Sequence, residues 1–243
     1  MARTTSRGTC LLCDGTFSKA GMTRHLQGCL QTHPAAGPTS PQAQLRRARV
    51  FHLVVQSRYA PGYWLHLEAR ASARLGDLDQ FLRDIWLECC GHLSAFTIGE
   101  QSYSVSPMDD FGEKDMRAEL GHVLEPRLRF THEYDFGSTT HLALKVASER
   151  DAEYRREPIR LLARNNPPPI PCGVCGKPAV VLCAECCYEP DGWLCKACAR
   201  KHECGDEMFL PVVNSPRVGV CGYTGEADGD WDLECEDESD DDE

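Results

Sequence analysis

Apolar residues recur with two different periods through the middle of the chain, and the changes of period mark out its elements. Phe51 to Gln56 (FHLVVQ) and Tyr63 to Ala69 (YWLHLEA), separated by Arg58-Tyr59-Ala60-Pro61-Gly62, predict two strands joined by a turn. Leu75, Leu78, Phe81, Leu82, Ile85 and Trp86 then fall at helical intervals, with Gly76 or Asp77 as the start of the helix. Leu93 to Gly99 (LSAFTIG) reads as a strand, 108–115 as an exposed turn, and Met116 to Leu124 as a short helix or turn. Leu128 to Gly137 and Thr140 to Ala147 return to strand-like content, with a Gly-Ser turn between them. This order predicts an α+β domain, one antiparallel or mixed sheet covered by one or two helices.

On either side of that domain the periodicity stops and cysteine takes over. Five regions follow: a cysteine/histidine unit over 8–30, a flexible Pro/Gly/Ser/Gln linker over 31–47, the α+β domain over 48–165, a cysteine-rich module over 170–225, and an acidic tail over 226–243. Pro167 to Pro171 (PPPIP) reads as a stiff spacer ahead of the rich module. The tail carries too much like charge and too little apolar content to fold alone, so disorder is expected there.

Charge sharpens this division. The whole chain has a formal charge of -11, yet residues 1–49 balance at +6 and residues 203–243 at -14. The acidic total therefore leaves room for a basic front end that attracts a polyanion, since such fields act over about a Debye length of 8–10 Å. The acidic tail then suits a basic partner, nucleic-acid mimicry, or screening of the front end. No window has the apolar length of a membrane-spanning helix, and no signal peptide precedes the first cysteines, so no membrane partner is expected. The expected location is the reducing cytoplasm, with nucleoid or nuclear association compatible. Fifteen cysteines there read as metal ligands rather than disulfides.

Their spacing supports that reading. Cys10-x2-Cys13-x11-His25-x3-Cys29 resembles a C2HC zinc finger, with Ser18 capping a helix that places Met22, His25, Leu26 and Cys29 on one face. Lys19, Thr23, Arg24 and Gln27 on that helix, with Arg46, Arg47 and Arg49 beyond it, are the candidate contacts to DNA or RNA. Cys172, Cys175, Cys183, Cys186, Cys195, Cys198, His202 and Cys204 supply two further sets of four, bound in sequence or in interleaved pairs. The interleaved version resembles the cross-braced B-box, MYND and HIT-type modules, a resemblance that implies a protein partner. Cys187 competes with Cys186, and Cys221 competes with His202 or Cys204. Three zinc ions are expected, one N-terminal and two C-terminal.

Phe81 to Gly99, with Trp86, Gly91, His92, Leu93 and Phe96, and Tyr134 to Val146, with Tyr134, Asp135, Phe136, Gly137, Ser138 and His141, resemble the plasmid open-reading-frame-three-like family, also met as insertion-element passengers. The resemblance covers about residues 48–150 and implies an α+β fold and a link to mobile elements. The chain departs from the pattern at Cys90-Gly91, where the family carries Gly-Trp.

Within this domain His92, His132, Glu133, Asp135 and His141 are the polar residues whose convergence would make a metal-assisted hydrolase site. Hydrogen-bonded structural roles are the favoured reading of the same residues, and Cys89 and Cys90 read as small side chains near a helix end. The leading expectation is a zinc-stabilised nucleic-acid-binding or adaptor protein rather than an enzyme. The hydrolase and a purely structural interaction component are the alternatives.

Overall fold

The computed structural model describes residues 6–33, 47–153 and 156–225. The expected linker, Arg46 and the acidic tail fall wholly or mostly outside the described residues. The chain opens with β1 (Arg7–Cys10), β2 (Thr16–Ser18) and α1 (Lys19–Thr32), followed by β3 (Arg47–Ser57), β4 (Trp64–Arg70) and α2 (Leu75–Leu82). Next come β5 (Ser94–Ile98), β6 (Gln101–Ser104), β7 (Lys114–Asp115), α3 (Leu120–Val123), β8 (Arg129–Tyr134), β9 (Thr140–Glu153) and β10 (Ile159–Asn165). The cysteine-rich end contributes β11 (Val181–Cys183), β12 (Trp193–Leu194), α4 (Lys196–Ala199) and β13 (Phe209–Pro211). Among the described residues no helix is long and apolar enough to cross a membrane.

The first ten strands form one sheet in the order β2-β1-β10-β4-β3-β9-β8-β5-β6-β7, antiparallel except for the short β6/β7 pair. Fold class is as expected: a mixed α+β domain with a central sheet. The helix after β4 starts earlier than the Gly76 or Asp77 expected from its apolar spacing. Arg74 precedes its first turn, and the Asp77 carboxylate accepts the Arg74 N–H at 2.7 Å, so Asp77 stabilises the start from inside the helix. A wider π-turn over Arg83–Leu87 follows α2, bringing Trp86 and Leu87 down onto the sheet.

Strand periodicity explains why two cores form on one sheet. Leu65, Leu67 and Ala69 of β4 face the main core beneath α2, together with Phe51, Leu53 and Val55 of β3. Trp64 of the same strand instead joins Met22 and Leu26 of α1 and Leu162 and Ala163 of β10 in a second core. A register shift between Leu161 and Ala163 lets β10 serve both faces, Ile159 and Leu161 turning to the first core and Leu162 to the second. Burying a side chain of this size contributes about 1.5–3 kcal/mol, which makes Trp64 an anchor for α1.

The N-terminal unit is therefore not a separate bead on a linker. Gly8, Thr9 and Cys10 of β1 pair with Asn165, Arg164 and Ala163 of β10, so the unit's hairpin continues the central sheet. The C-terminal module, by contrast, keeps its own three-stranded sheet, β12-β11-β13. After β13 the chain returns to the central domain. There Asn214 exchanges side-chain hydrogen bonds with Asn165, and Ser215 donates to the Trp86 carbonyl at 2.7 Å.

Candidate metal centres

The first cysteine/histidine set is assembled by a tight turn and a capped helix. Cys10 ends β1, and the Asp14 N–H donates back to its carbonyl at 2.9 Å while the Cys10 N–H donates to Gly15 at 2.9 Å. Asp14 takes the left-handed conformation (φ 58°) that this reversal requires, placing Cys13 beside Cys10. The Ser18 hydroxyl accepts the Gly21 N–H and fixes the start of α1, from which His25 and Cys29 project one turn apart. The sulfurs of Cys10 and Cys29 lie 3.9 Å apart, and Cys13 Sγ lies 3.3 Å from His25 Nε2. A tetrahedron with zinc–sulfur bonds of roughly 2.3 Å has edges of about 3.8 Å, so these four atoms have the spacing of one closed site.

The cysteine-rich module forms two more such sets. Cys172, Cys175, Cys195 and Cys198 come together, as do Cys183, Cys186, His202 and Cys204, with every ligand atom of a set within 4.8 Å of the others. Of the two pairings the spacing allowed, the fold brings together the interleaved one. The β11/β12 pairing causes this: Val181 faces Leu194, carrying Cys195 back to the Cys172 turn and separating Cys183 from it. Representative edges are 3.6 Å for Cys175 to Cys195, 3.5 Å for Cys186 to His202 and 3.8 Å for Cys186 to Cys204. Neither Cys187 nor Cys221 joins these sets.

The protonation of these thiols follows from the same crowding. Burial and then neighbouring sulfurs push Cys29 up to about 12, and Cys186 rises to about 12 for the same reasons. Cys198 is also raised to about 12, first by its contact with Cys175. Burial opposes ionisation of Cys172, but backbone N–H groups of Cys195, Cys175 and Val174 outweigh it and bring the thiol down to about 6. A divalent cation among the sulfurs reverses the repulsive part of this balance, because a coordinated thiol is deprotonated outright.

A fourth set was not expected from spacing. Cys89, Cys90, His92 and Cys221 bring their ligand atoms within 4.8 Å of one another. Cys89 and Cys90 had read as helix-end side chains and Cys221 as a competitor in the C-terminal module. The chain after β13 instead carries Cys221 back to the central domain. The only local signal was the short run Cys89-Cys90-Gly91-His92, whose partner lies far along the sequence.

The convergence of His92, His132 and His141 that the alternative hydrolase reading needs is not found. His132 is fully buried, and its Nε2 lies 2.7 Å from Asp79, which also holds Arg83 at 2.7 Å. His141 sits opposite Glu133 in the β8/β9 ladder and lies 3.0 Å from its carboxylate. Because side chains alternate along β8, His132 and Glu133 face opposite sides of the sheet, which separates His132 from His141. His92 and Asp135 do approach, at 3.6 Å, but Asp135 is engaged by Arg217 at 2.6 Å. Burial opposes the Asp135 carboxylate's charge, while Arg217 and the Ser138 and Gly137 N–H groups hold it below its ordinary range.

The candidate nucleic-acid residues divide in a similar way. Arg24 and Gln27 are exposed on α1, whereas Lys19 contacts Gln56 of β3, and Thr23 donates to the Lys19 carbonyl. Burial pulls the Lys19 ammonium below its ordinary range. Lys19 and Thr23 form one wall of a cleft of about 570 Å³ whose other wall includes Thr131, Arg129 and Lys145. Arg47 donates weakly to the Asp151 carbonyl at 3.5 Å, and Arg49 donates to Gly121 at 2.9 Å and faces Glu149 at 3.7 Å. Of the described candidates on α1, Arg24 and Gln27 are thus the exposed pair, because docking against the sheet occupies one side of the helix.

Comparison with known proteins agrees with the resemblance seen in the sequence. A family model described as plasmid pRiA4b ORF-3-like protein matches residues 50–183. A crystal structure of a protein of unknown function from Methanosarcina mazei Go1 is similar at 13% identity and a TM-score of 0.41, covering 48% of this chain and 68% of that one. No curated protein matches the chain.

Proposed function

The chain belongs to the plasmid pRiA4b ORF-3-like family, and from that premise we propose that it is a zinc-stapled binding protein whose metals supply shape and whose partner is an anionic chain, with nucleic acid the leading class. The observation that carries this reading is the cleft between α1 and the sheet. Lys19, Arg129 and Lys145 line it together with Thr23, Thr97, Thr131 and Gln56, and no Asp or Glu is among the described residues that do so. Cations and neutral donors without a competing carboxylate suit phosphate oxygens. The contact surface is then a groove shared by finger and sheet, rather than a lone recognition helix. Closed sets of four cysteine or histidine ligands suit zinc held for structure, with no coordination position left for a substrate.

Fluorescence anisotropy of the zinc-loaded full chain with single-stranded and duplex DNA and RNA, at about 50 and 150 mM salt, tests the reading. The expected result is salt-sensitive binding that weakens on Arg129→Glu or Lys145→Glu. Absent binding, or binding indifferent to both substitutions, would overturn it. A protein-adaptor reading has its own support in Tyr188, which is 97% exposed, and in Val174 of the same module, which is exposed as well. That reading expects salt-tolerant association lost in Tyr188→Ser and retained in the cleft variants.

A further inference from the structure

We propose that Cys89, Cys90, His92 and Cys221 bind a fourth zinc-type ion, which clamps the segment following β13 onto the central domain. Cys89 Sγ lies 3.6 Å from Cys90 Sγ, and Cys90 Sγ lies 3.7 Å from Cys221 Sγ. His92 Nε2 completes the set at 2.9 Å from Cys90 and 3.3 Å from Cys221. The two sulfur–sulfur edges match those of the other sets and the roughly 3.8 Å expected around zinc, the Cys221–His92 edge equals the 3.3 Å of Cys13–His25, and the Cys90–His92 edge is shorter. A soft three-sulfur, one-imidazole donor set selects zinc over magnesium or calcium. A disulfide is a different arrangement: its sulfurs stand about 2.05 Å apart.

The backbone on both sides is shaped for this meeting. Gly91 (φ 75°) reverses the chain between Cys90 and His92, so neighbouring residues point to one centre. Cys221 itself adopts a left-handed conformation (φ 53°), which costs a residue with a side chain roughly 1–2 kcal/mol and is retained where surrounding interactions demand it. Gly222 follows with φ 65°.

The charge around the site has the same sense. Arg217 is fully buried and donates to Asp135 at 2.6 Å, to Thr140 at 3.1 Å and to Cys89 Sγ at 3.4 Å. Three thiolates around a divalent ion carry one net negative charge, and Arg217 stands where that charge falls. An N–H donor on a ligating sulfur is the outer-layer support that metal centres use to orient their ligands. Asp135, held by Arg217 and by the Gly137 and Ser138 N–H groups, is kept out of the coordination set.

Connectivity distinguishes this ion from the others. It joins Cys90 to a residue 131 positions away, whereas the N-terminal set joins Cys10 to Cys29 across 19. Closing the longer loop removes more freedom from the unfolded chain. Cys90 and Cys221 are exposed, so chelators and oxidants reach this ion more readily than one enclosed with Cys10 or Cys183.

Zinc is quantified by mass spectrometry in the full chain and in Cys221→Ser and His92→Ala, alongside alkylation mapping of the zinc-loaded unmutated protein. The expected result is one ion fewer in each variant and protection of Cys89, Cys90 and Cys221 from alkylation until a chelator is added. Equal zinc content in all three proteins would overturn the site. Should the variants fail to fold, alkylation decides alone: chelator-dependent protection supports the fourth ion, and free-thiol reaction of those cysteines in zinc-loaded protein overturns it. Neither readout involves the anionic partner, so failure here leaves the binding proposal standing.

Discussion

The two ends of the chain use the same ligand chemistry but attach to the centre in different ways. The N-terminal unit is built into the large sheet through β1 and β10 and shares a core with Trp64 of β4. The C-terminal module keeps a sheet of only three short strands, with a cluster made largely of ligand cysteines around Val181, Leu194 and Phe209. Metal at the first end therefore reinforces packing that apolar burial also supports. At the second end it replaces a core too small to hold by itself.

Chelation is the strongest way to break this comparison. Structural zinc contributes roughly 10–16 kcal/mol of apparent binding free energy in finger peptides, so stripping the C-terminal module should unfold it completely. Hydrogen exchange in excess chelator should show β11 and β13 losing protection while β3, β4 and β9 keep theirs. Equal loss throughout would show that the centre depends on the metals too.

Trp64→Ala attacks the other end through packing. Truncating a fully buried tryptophan costs about 3–5 kcal/mol, and here the cost should appear as faster exchange in α1 and β1 and a lower melting temperature, with zinc in the C-terminal module unchanged.

A pH titration sharpens the same point. His52 and His66 touch at 2.8 Å, and burial brings His52 down to about 4, assisted by the charge of Arg150. Burial likewise brings His66 down to about 3, helped next by the charge of His52, while a hydrogen bond with the Lys19 backbone opposes the shift and the Lys19 charge adds a smaller lowering. An unfolded histidine titrates near 6.5, so below that pH the unfolded chain binds protons that the folded chain refuses. The pair is thus neutral and costs no stability at pH 7, and it progressively destabilises the fold as pH falls from about 6.5 towards 4 for His52 and about 3 for His66. Ring proton shifts measured by NMR should stay in the neutral position at pH 5. In Trp64→Ala, loss of the α1 cover should move His66 back towards 6.5.

The smallest effect is expected at Arg24. It is exposed on α1 and makes no hydrogen bond or ion pair among the described residues, so Arg24→Ala should change stability by less than about 0.5 kcal/mol in a denaturant titration. A larger loss would indicate that this side of the finger is also engaged.

Much of the central fold was legible because its signals are local. The β3 and β4 runs, the apolar spacing of α2 and the strand at Phe96 all appeared where periodicity put them. β10 went unrecognised because its bulge and its service to two cores disrupt the alternation by which strands are read. The metal sets show the same divide. Twelve ligands stood out by spacing, while Cys89, Cys90, His92 and Cys221 did not, since no short-range pattern relates residues on opposite sides of two folded regions.

The sequence by itself determined which residues can act as soft ligands, which faces of the strands and helices are apolar, and where charge is concentrated. These are properties of neighbouring side chains and of the 2.0 and 3.6 residue periods. Only the tertiary structure decided that the C-terminal ligands interleave, that α1 lies across the sheet beside Lys145, that His132 and His141 part to opposite faces, and that Cys221 returns to Cys90. Each of these depends on strand pairing and shared burial between distant segments, where the energy resides in contacts that do not exist until the chain is folded.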